Sequence, residues 1–494
     1  LHRGDSLSAS RLLKSRSSFV GGQTMSEFLW NGWTFDLVNT LAVFAVLYFA
    51  LGIDDFLVDL SSIFMGARPK TMSGTQFDTM MALPEKKLAV MIPAWDEGEL
   101  IGQMVQGNIP RIVYKNYHIF LGVYPNDPDT VNCARKLHER FPNVHPVINS
   151  QEGPSSKGQM LNEVIEYVKA YEKEAGIEFD AFHMQDSEDI IHPYALKLVN
   201  QELETSDFVQ IPVFSLATKQ SQIVAGTYMD EFAESHTKDI IVRSRLKAAV
   251  PSAGVGTTFS KRAVNRVQLL YGDVFNDKSV TEDYELGLLV NRCLLKSTFS
   301  SWAYRDPKTG KREIIATREY FPQKFARSIR QKTRWTVGIT LQGWRNTGWF
   351  GNLANRFFLY RDRKGVFANV INLLGLTVAV ISAFSVALET EAMLNTLAYY
   401  RDFAWLLAAN LFFMFNRALW RMVCASRVYG WTALFMAPIR IPVSNIINAI
   451  ACIRAIKQFV SSVIFETQIA WSKTSHTLPI GFGEPPESEP ADAK

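Results

Sequence analysis

Apolar and polar positions alternate in two different ways along the chain. Between about residues 85 and 330, short apolar runs recur between charged segments, the pattern of a globular α/β domain. Residues 87–93 (KLAVMIP) form one run, which ends in Pro and passes through Ala94, Trp95, Asp96, Glu97, Gly98 and Glu99 into a predicted helix. Residues 117–124 repeat the pattern and stop at Pro125-Asn126-Asp127-Pro128-Asp129. A third run, Val144–Ile148, is followed by residues 153–158, bounded by glycines, and a helix predicted from Gln159 to about Tyr171. A fourth, residues 180–184, ends in Gln185-Asp186-Ser187-Glu188-Asp189. Strand ends recurring every ~30 residues are the rhythm of βαβ units. They predict a mostly parallel, nucleotide-binding sheet with helices on both faces, whose strand ends receive the ligand.

The flanking sequence has a longer period. Residues 35–53 and 366–388 are apolar runs of about 20 residues, the length that crosses the hydrocarbon of a bilayer. A third candidate, 397–423, is interrupted by Arg401, Asp402, Arg417 and Arg421, so only its centre is clean. Residues 431–456 hold Arg440 between Pro438 and Pro442, which predicts a broken, re-entrant or surface-lying helix. The expected organisation is a leader over residues 1–26, disordered or an over-extended start ahead of Met25, and a first transmembrane segment within 27–60. A cytoplasmic catalytic domain (85–325) and an interface helix (326–350) follow. Two transmembrane helices within 365–425, broken interfacial or re-entrant helices over 430–470 and a polar tail from 471 to 494 complete it.

Basic residues flank the apolar runs: Arg68 and Lys70 after the first, Arg356, Arg361, Arg363 and Lys364 before the second, and Arg417, Arg421 and Arg427 at the third. The positive-inside rule places residues 60–365 and the C-terminal part in the cytoplasm, with Arg3, Arg11, Lys14 and Arg16 on the opposing side of that assignment. A net charge of +4, massed beside apolar runs, points to lipid headgroups and not to nucleic acid. Four scattered cysteines imply neither a zinc site nor a disulfide framework.

Three stretches carry candidate chemistry. Asp186 and Glu188 alternate on an extended chain, so both carboxylates can face one hard cation such as Mg²⁺ or Mn²⁺ that grips a diphosphate. Asp189 adds a third, and an acidic turn capping the helix at Pro193 is the structural alternative. Thr281-Glu282-Asp283 precedes an apolar periodic run. Thr281 suits an N-cap with the carboxylates in the first turn, and Asp283 suits a general base for an incoming hydroxyl. On a helix, Gln331, Arg334 and Trp335 share one face, where a guanidinium grips phosphate and an indole offers a plate for a sugar ring. The same trio would also suit a helix resting at the headgroup level. Residues 251–260 are small and Gly-rich without the ending of a phosphate-cradling loop, which leaves either close approach of a sugar to the backbone or a plain turn before a strand.

Taken together, residues 92–99 (IPAWDEGE), Asp186 to Asp189 with Pro193, Thr281-Glu282-Asp283, and Gln331 to Trp335 followed by Gly338 and Gln342-Gly343-Trp344 resemble the membrane-embedded family 2 glycosyltransferases. Cellulose and hyaluronan synthases and the bacterial phage-adsorption protein B group belong there, and the likeness to that last group is the fuller, spanning about residues 27 to 480. The resemblance implies an A-type glycosyltransferase domain joined to an α-helical transmembrane region of the bacterial inner membrane, with the catalytic domain cytoplasmic. It implies donor binding by Asp96, Glu97, Asn126, Asp127, Lys157 and Asp186, with Asn162 near Lys157, and a metal pair of Asp186 and Glu188 for Mg²⁺ or Mn²⁺. The base is Asp283, with Glu282 beside it. Gln331, Arg334 and Trp335 then form the acceptor and diphosphate platform. Residues 471–477 resemble a gating loop, in which Lys473 and His476 would meet the phosphates, or else are a polar tail leaving the membrane surface. A cyclic-di-GMP-binding motif is not present in this sequence.

Three readings follow: a transferase that extends a glycan from a UDP-sugar, transfer of one sugar to a lipid-phosphate carrier, and a non-catalytic membrane scaffold or phage-receptor partner. The implied partners are a nucleotide sugar, a glycan or lipid-linked acceptor, the membrane, and an outer-membrane or periplasmic protein.

Overall fold

The computed structural model describes residues 25–306, 309–387, 401, 404–467 and 478–483. Residues 1–24 of the expected leader lie outside the described residues, as do Lys473 and His476. The chain divides into two compact units, Leu1–Asp55 with Ile371–Asn416, and Phe56–Val370 with Arg417–Lys494.

The larger unit is built on a seven-stranded sheet of β1 (Leu88–Pro93), β2 (Tyr117–Val123), β3 (Val144–Ile148), β4 (Ala181–Met184), β5 (Phe208–Gln210), β6 (Thr257–Ser260) and β7 (Ser297–Phe299), in the order β3-β2-β1-β4-β6-β5-β7. The pairs β3-β2, β2-β1, β1-β4 and β5-β7 are parallel, whereas β6 runs antiparallel to both β4 and β5. The sheet is thus mostly parallel, as expected, with one reversed strand that the βαβ rhythm does not contain. That strand is hard to read because it is polar. Thr258 pairs with Nδ1 of His183 at 2.7 Å, and the Thr257 hydroxyl donates to Oε1 of Gln210 at 2.6 Å, so hydroxyls sit in the sheet with their needs met.

Alternate residues of β1 feed opposite cores. Ala89 and Met91 join Phe120, Phe182 and Val164 on one face, and Leu88, Val90 and Ile92 join Leu121, Ile101 and Leu137 on the other. Burial on both faces is why these strands read as unbroken apolar runs. Helices α1 (Met25–Phe64), α2 (Gly98–Asn108), α3 (Pro128–Arg140) and α4 (Lys157–Ala175) precede or cover the sheet. Local chemistry starts two of them: the Asp127 carboxylate accepts from the Thr130 N–H with Pro128 opening α3, and the Ser156 hydroxyl accepts from the Gln159 N–H to begin α4 at Lys157.

Beyond the sheet lie α5 (Ile223–Glu234), α6 (Glu282–Arg292), α7 (Phe325–Trp335), α8 (Leu353–Ala387), α9 (Ala404–Tyr429) and α10 (Trp431–Ile464). Among the described residues, three helical stretches are long and apolar enough to cross a membrane: Asn39–Phe64, Leu353–Ile381 and Trp431–Ile464. The expected third span, 397–423, lies partly outside the described residues, and its described part in α9 carries Asn410, Asn416, Arg417 and Arg421. Helix α10, expected to be broken, re-entrant or surface-lying, is continuous through Pro438 and Pro442. Its stripe of Ala433, Ala437, Arg440, Ser444, Ile447, Ala451 and Ala455 is buried, and the helix packs on α5 and α7. Tertiary contact here outweighs the ~3 kcal/mol that an interior proline costs a helix.

In the smaller unit, Phe49 stacks on Phe413 and meets Trp405 edge-on, each at 5.7 Å, and the Asn410 amide donates to the Ala45 carbonyl at 2.8 Å. Its outer side chains, including Val43, Val46, Val380, Phe384, Leu411 and Phe415, are exposed and apolar, the reverse of a water-soluble bundle.

Candidate active site

The parallel strands run outward from β1 in one direction to β2 and β3 and in the other to β4, so the crevice between the ends of β1 and β4 is where such sheets bind ligands. One cleft opens there. Its lining includes Trp95 and Glu97 from the end of β1, Tyr124 from β2, Lys157 at the start of α4 and Asp186, Ser187 and Glu188 from the end of β4. Ala253 and Gly254, Glu282 and Asp283, Glu319, and Gln331, Arg334 and Trp335 close the other side. Carboxylates, base candidate and helix platform, from Glu97 to Trp335 along the chain, therefore share one cavity.

Three predicted donor residues are not among those lining it. Asp96 has a left-handed backbone (φ 54°), and its N–H donates to Oδ2 of Asp127 at 2.5 Å. Asp127 spends its other oxygen on the Thr130 N–H. The Asn126 side chain pairs with the peptide of Gly153, donating to its carbonyl at 2.8 Å and accepting from its N–H at 2.7 Å. Asn126 and Asp127 thus brace the loops behind the cleft. Asn162 does likewise, exchanging two bonds with the backbone of Phe275.

The acidic strand end also differs in detail from the extended run expected. Residues 187 and 188 form a turn, with the Asp189 N–H donating to the Asp186 carbonyl at 3.3 Å. Asp186 and Glu188 nonetheless both line the cleft, and the Ser187 hydroxyl donates to carboxylate oxygens of Glu97 and Glu188. Asp189 turns inward. Its Oδ2 accepts from the Asp186 N–H at 2.7 Å, while its buried Oδ1 meets no donor among the described residues. Burial, then the charges of Glu319, Asp186 and Glu188, hold the Asp189 carboxyl well above the usual range.

Among the described residues no three His, Cys, Asp or Glu side chains converge as a cage for a cation. Mg²⁺ and Mn²⁺ do not require one, since they are commonly held by one or two carboxylates with substrate phosphates completing the shell. Asp186 and Glu188 line the cleft together, and the buried Oδ1 of Asp189 beside them meets no donor among the described residues, a donor set that fits such an ion.

Thr281 occupies the N-cap position of α6, yet it does not cap. Its hydroxyl finds no partner among the described residues and lies where a Cβ on Gly338 would come within 2.2 Å of it. Packing against the π-helical turn Thr336–Gln342 has displaced the capping role. Burial first and the Asp283 carboxylate second push the Glu282 carboxyl well above its usual range, against the pull of Lys157 and Arg334. The Gly-rich loop explains itself through Asp283. Gly254 has φ 82°, and a Cβ there would lie 2.3 Å from Oδ2 of Asp283, so the small residue makes room for that carboxylate.

On α7, Trp335 is held among Tyr228, Phe232 and Phe321 at ring distances of 5.9, 6.0 and 6.2 Å. Gln331 is buried and lines the cleft, with a carbonyl oxygen that has no donor among the described residues. Sequence reasoning had not singled out Trp95, Tyr124, Ser155 or Glu319. The first two are aromatic residues at strand ends and could have been found by that position, whereas nothing around Glu319 distinguishes it.

The profile described as "Glycosyltransferase like family 2" matches residues 84–338, just over half of the chain. The chain is 35% identical over 475 residues to bacteriophage adsorption protein B of Escherichia coli (strain K12) and to bacteriophage N4 adsorption protein B of Escherichia coli O157:H7. Each match covers 92% of this chain, which spans 64% of the relative's length. Among solved structures, a mannosyltransferase from Pyrobaculum calidifontis in complex with GDP-Man and Mn²⁺ aligns with a TM-score of 0.49 and 13% identity, over 82% of this chain and 99% of the other. By the profile match over residues 84–338 the chain belongs to the glycosyltransferase like family 2, and its mostly parallel sheet is of the A-type glycosyltransferase kind.

Proposed function

We propose that the protein is a membrane-bound inverting glycosyltransferase that moves a sugar from a nucleoside diphosphate sugar, a UDP-sugar in the first instance, to a growing glycan. The observation that carries this reading is the single cleft in which Lys157, Asp186, Glu188, Asp283, Gln331, Arg334 and Trp335 meet. Asp186 and Glu188 would hold Mg²⁺ or Mn²⁺, which when bound offsets the charge of the departing diphosphate. Asp283, in the same cleft, takes the proton of the acceptor hydroxyl. Trp335, fixed by three aromatic rings, supplies the apolar plate for the acceptor ring, and the unpartnered carbonyl of Gln331 accepts from one of its hydroxyls. Glu97, Trp95 and Tyr124 border the donor end of the cleft.

The apolar helices and flanking basic residues support a multi-pass protein of the bacterial inner membrane with its catalytic unit in the cytoplasm. The names of the relatives support a glycan or partner used in phage adsorption. Transfer of one sugar to a lipid-phosphate carrier is the second reading, supported by only three stretches of membrane-spanning length among the described residues. Membranes containing the protein, incubated with a panel of UDP-, GDP- and dTDP-sugars, should release one nucleoside diphosphate. Loss of that release in Asp283→Asn supports transfer, and equal release by both forms would sink it. A product soluble only in chloroform selects the lipid carrier.

A further inference from the structure

Lys157 stands at the first position of α4 and reaches across the cleft to Oδ1 of Asp186, with which it forms an ion pair. Its surroundings are one-sided. Burial opposes the ammonium, but Asp186, Glu282 and Asp283 together hold it charged, above its ordinary value. A Cβ built on Gly254 would lie 2.3 Å from Oδ2 of Asp283 and 3.7 Å from Nζ of Lys157, which places the ammonium and that carboxylate at the same spot of the lining. Glu188 and Glu319 add charge to the same cavity. The two partners are not sealed in, with side chains 21% and 30% exposed, so the pair can open without unpacking a core.

We propose that Lys157 is the resident counter-ion of Asp186, occupying the place of the divalent cation in the ligand-free protein and competing with it. This rests on the reading of Asp186 and Glu188 as the cation pair. One oxygen cannot serve an ammonium and a small, strongly hydrated dication at once without bringing like charges together. The cation therefore enters only as the ammonium leaves, and the empty cleft holds it weakly. The arrangement keeps the carboxylate side of the site formed in the absence of substrate and reserves tight cation binding for the loaded state.

The test needs no sugar. The purified full chain in detergent is titrated with Mn²⁺ alone, and free Mn²⁺ is read by electron paramagnetic resonance. Lys157→Met and Lys157→Gln should each bind Mn²⁺ at least about tenfold tighter than the wild type, as expected when a unit positive charge is removed beside the site. Asp186→Asn in either background should abolish the gain, and Lys157→Arg, which keeps the charge, should stay at the wild-type affinity. Unchanged or weaker Mn²⁺ binding by both neutral variants, with melting temperatures showing them folded, overturns the proposal. If Asp186→Asn still weakens binding in the wild type, the cation pair survives that result. Should neither change affect Mn²⁺ binding, both ideas fall together.

Discussion

Two groups of charge in the larger unit use the same side chains to opposite ends. Along the seam where α5 meets α9 and α10, buried carboxylates are matched by cations. Glu234 pairs with Lys238 and Arg421, Glu231 with Lys332 at 2.6 Å, and Asp230 with Arg440 at 3.2 Å. Ser444 and Asn448 of α10 add hydrogen bonds to Glu231. Around the cleft, Glu97, Asp186, Glu188, Glu282, Asp283 and Glu319 share the lining with Lys157 and Arg334. Burial raises every carboxyl, yet partners decide the outcome. Lys332 and Arg421 bring Glu231 down to about 2, whereas Asp283 helps push Glu282 up to about 8. Ion pairs at the seam tie α5 to α7, α9 and α10, whereas the carboxyls of the cleft crowd one another.

That contrast breaks first at the seam. Arg440→Met leaves Asp230 buried and unpaired, and should cost about 3–5 kcal/mol in denaturation experiments in detergent. Lys332→Met should do likewise, and combining it with Glu231→Gln should restore much of the loss. If Arg440→Met melts like the wild type, the seam is not holding the unit together. In the cleft the balance of effects reverses: Asp186→Ala should lower nucleoside diphosphate release by roughly 10²-fold or more with little change in melting temperature. Gly254→Ala is a smaller perturbation. It imposes ~1–2 kcal/mol of left-handed strain and crowds Asp283, so turnover should fall further than stability. A variant with unchanged turnover would mean that the Asp283 position is not critical.

The smallest effect is in pH. Glu282 has a folded value above its unfolded one, so its contribution to stability is full below the ordinary carboxylate range and is lost as pH rises from about 4.5 through about 8. Glu231 has the opposite sign, contributing above about 4.5 and losing that contribution as pH falls toward about 2. Melting curves of Glu282→Gln should therefore gain on the wild type between pH 5 and pH 8, and those of Glu231→Gln should lose least at the acid end. A Glu282→Gln difference that does not vary with pH would mean that the Glu282 carboxyl is not raised in the folded protein.

Periodicity alone determined the first four strands, two of the three membrane-length stretches and the helix that carries Gln331, Arg334 and Trp335, because each depends on neighbours within a turn or a strand. Motif order determined the family. Prolines misled at 438 and 442, where local helix cost was outweighed by a buried stripe, and hydroxyls hid the reversed strand Thr257–Ser260. Which carboxylate finds a cation was decided only by tertiary structure. Lys332 meets Glu231 from 101 residues away, and Asp127 accepts from the Asp96 N–H across 31. Sequence spacing fixes a side chain's place on its own helix or strand, but the field at a charged atom is a sum over whatever the fold brings within a few ångströms, and that sum does not exist until the chain has closed on itself.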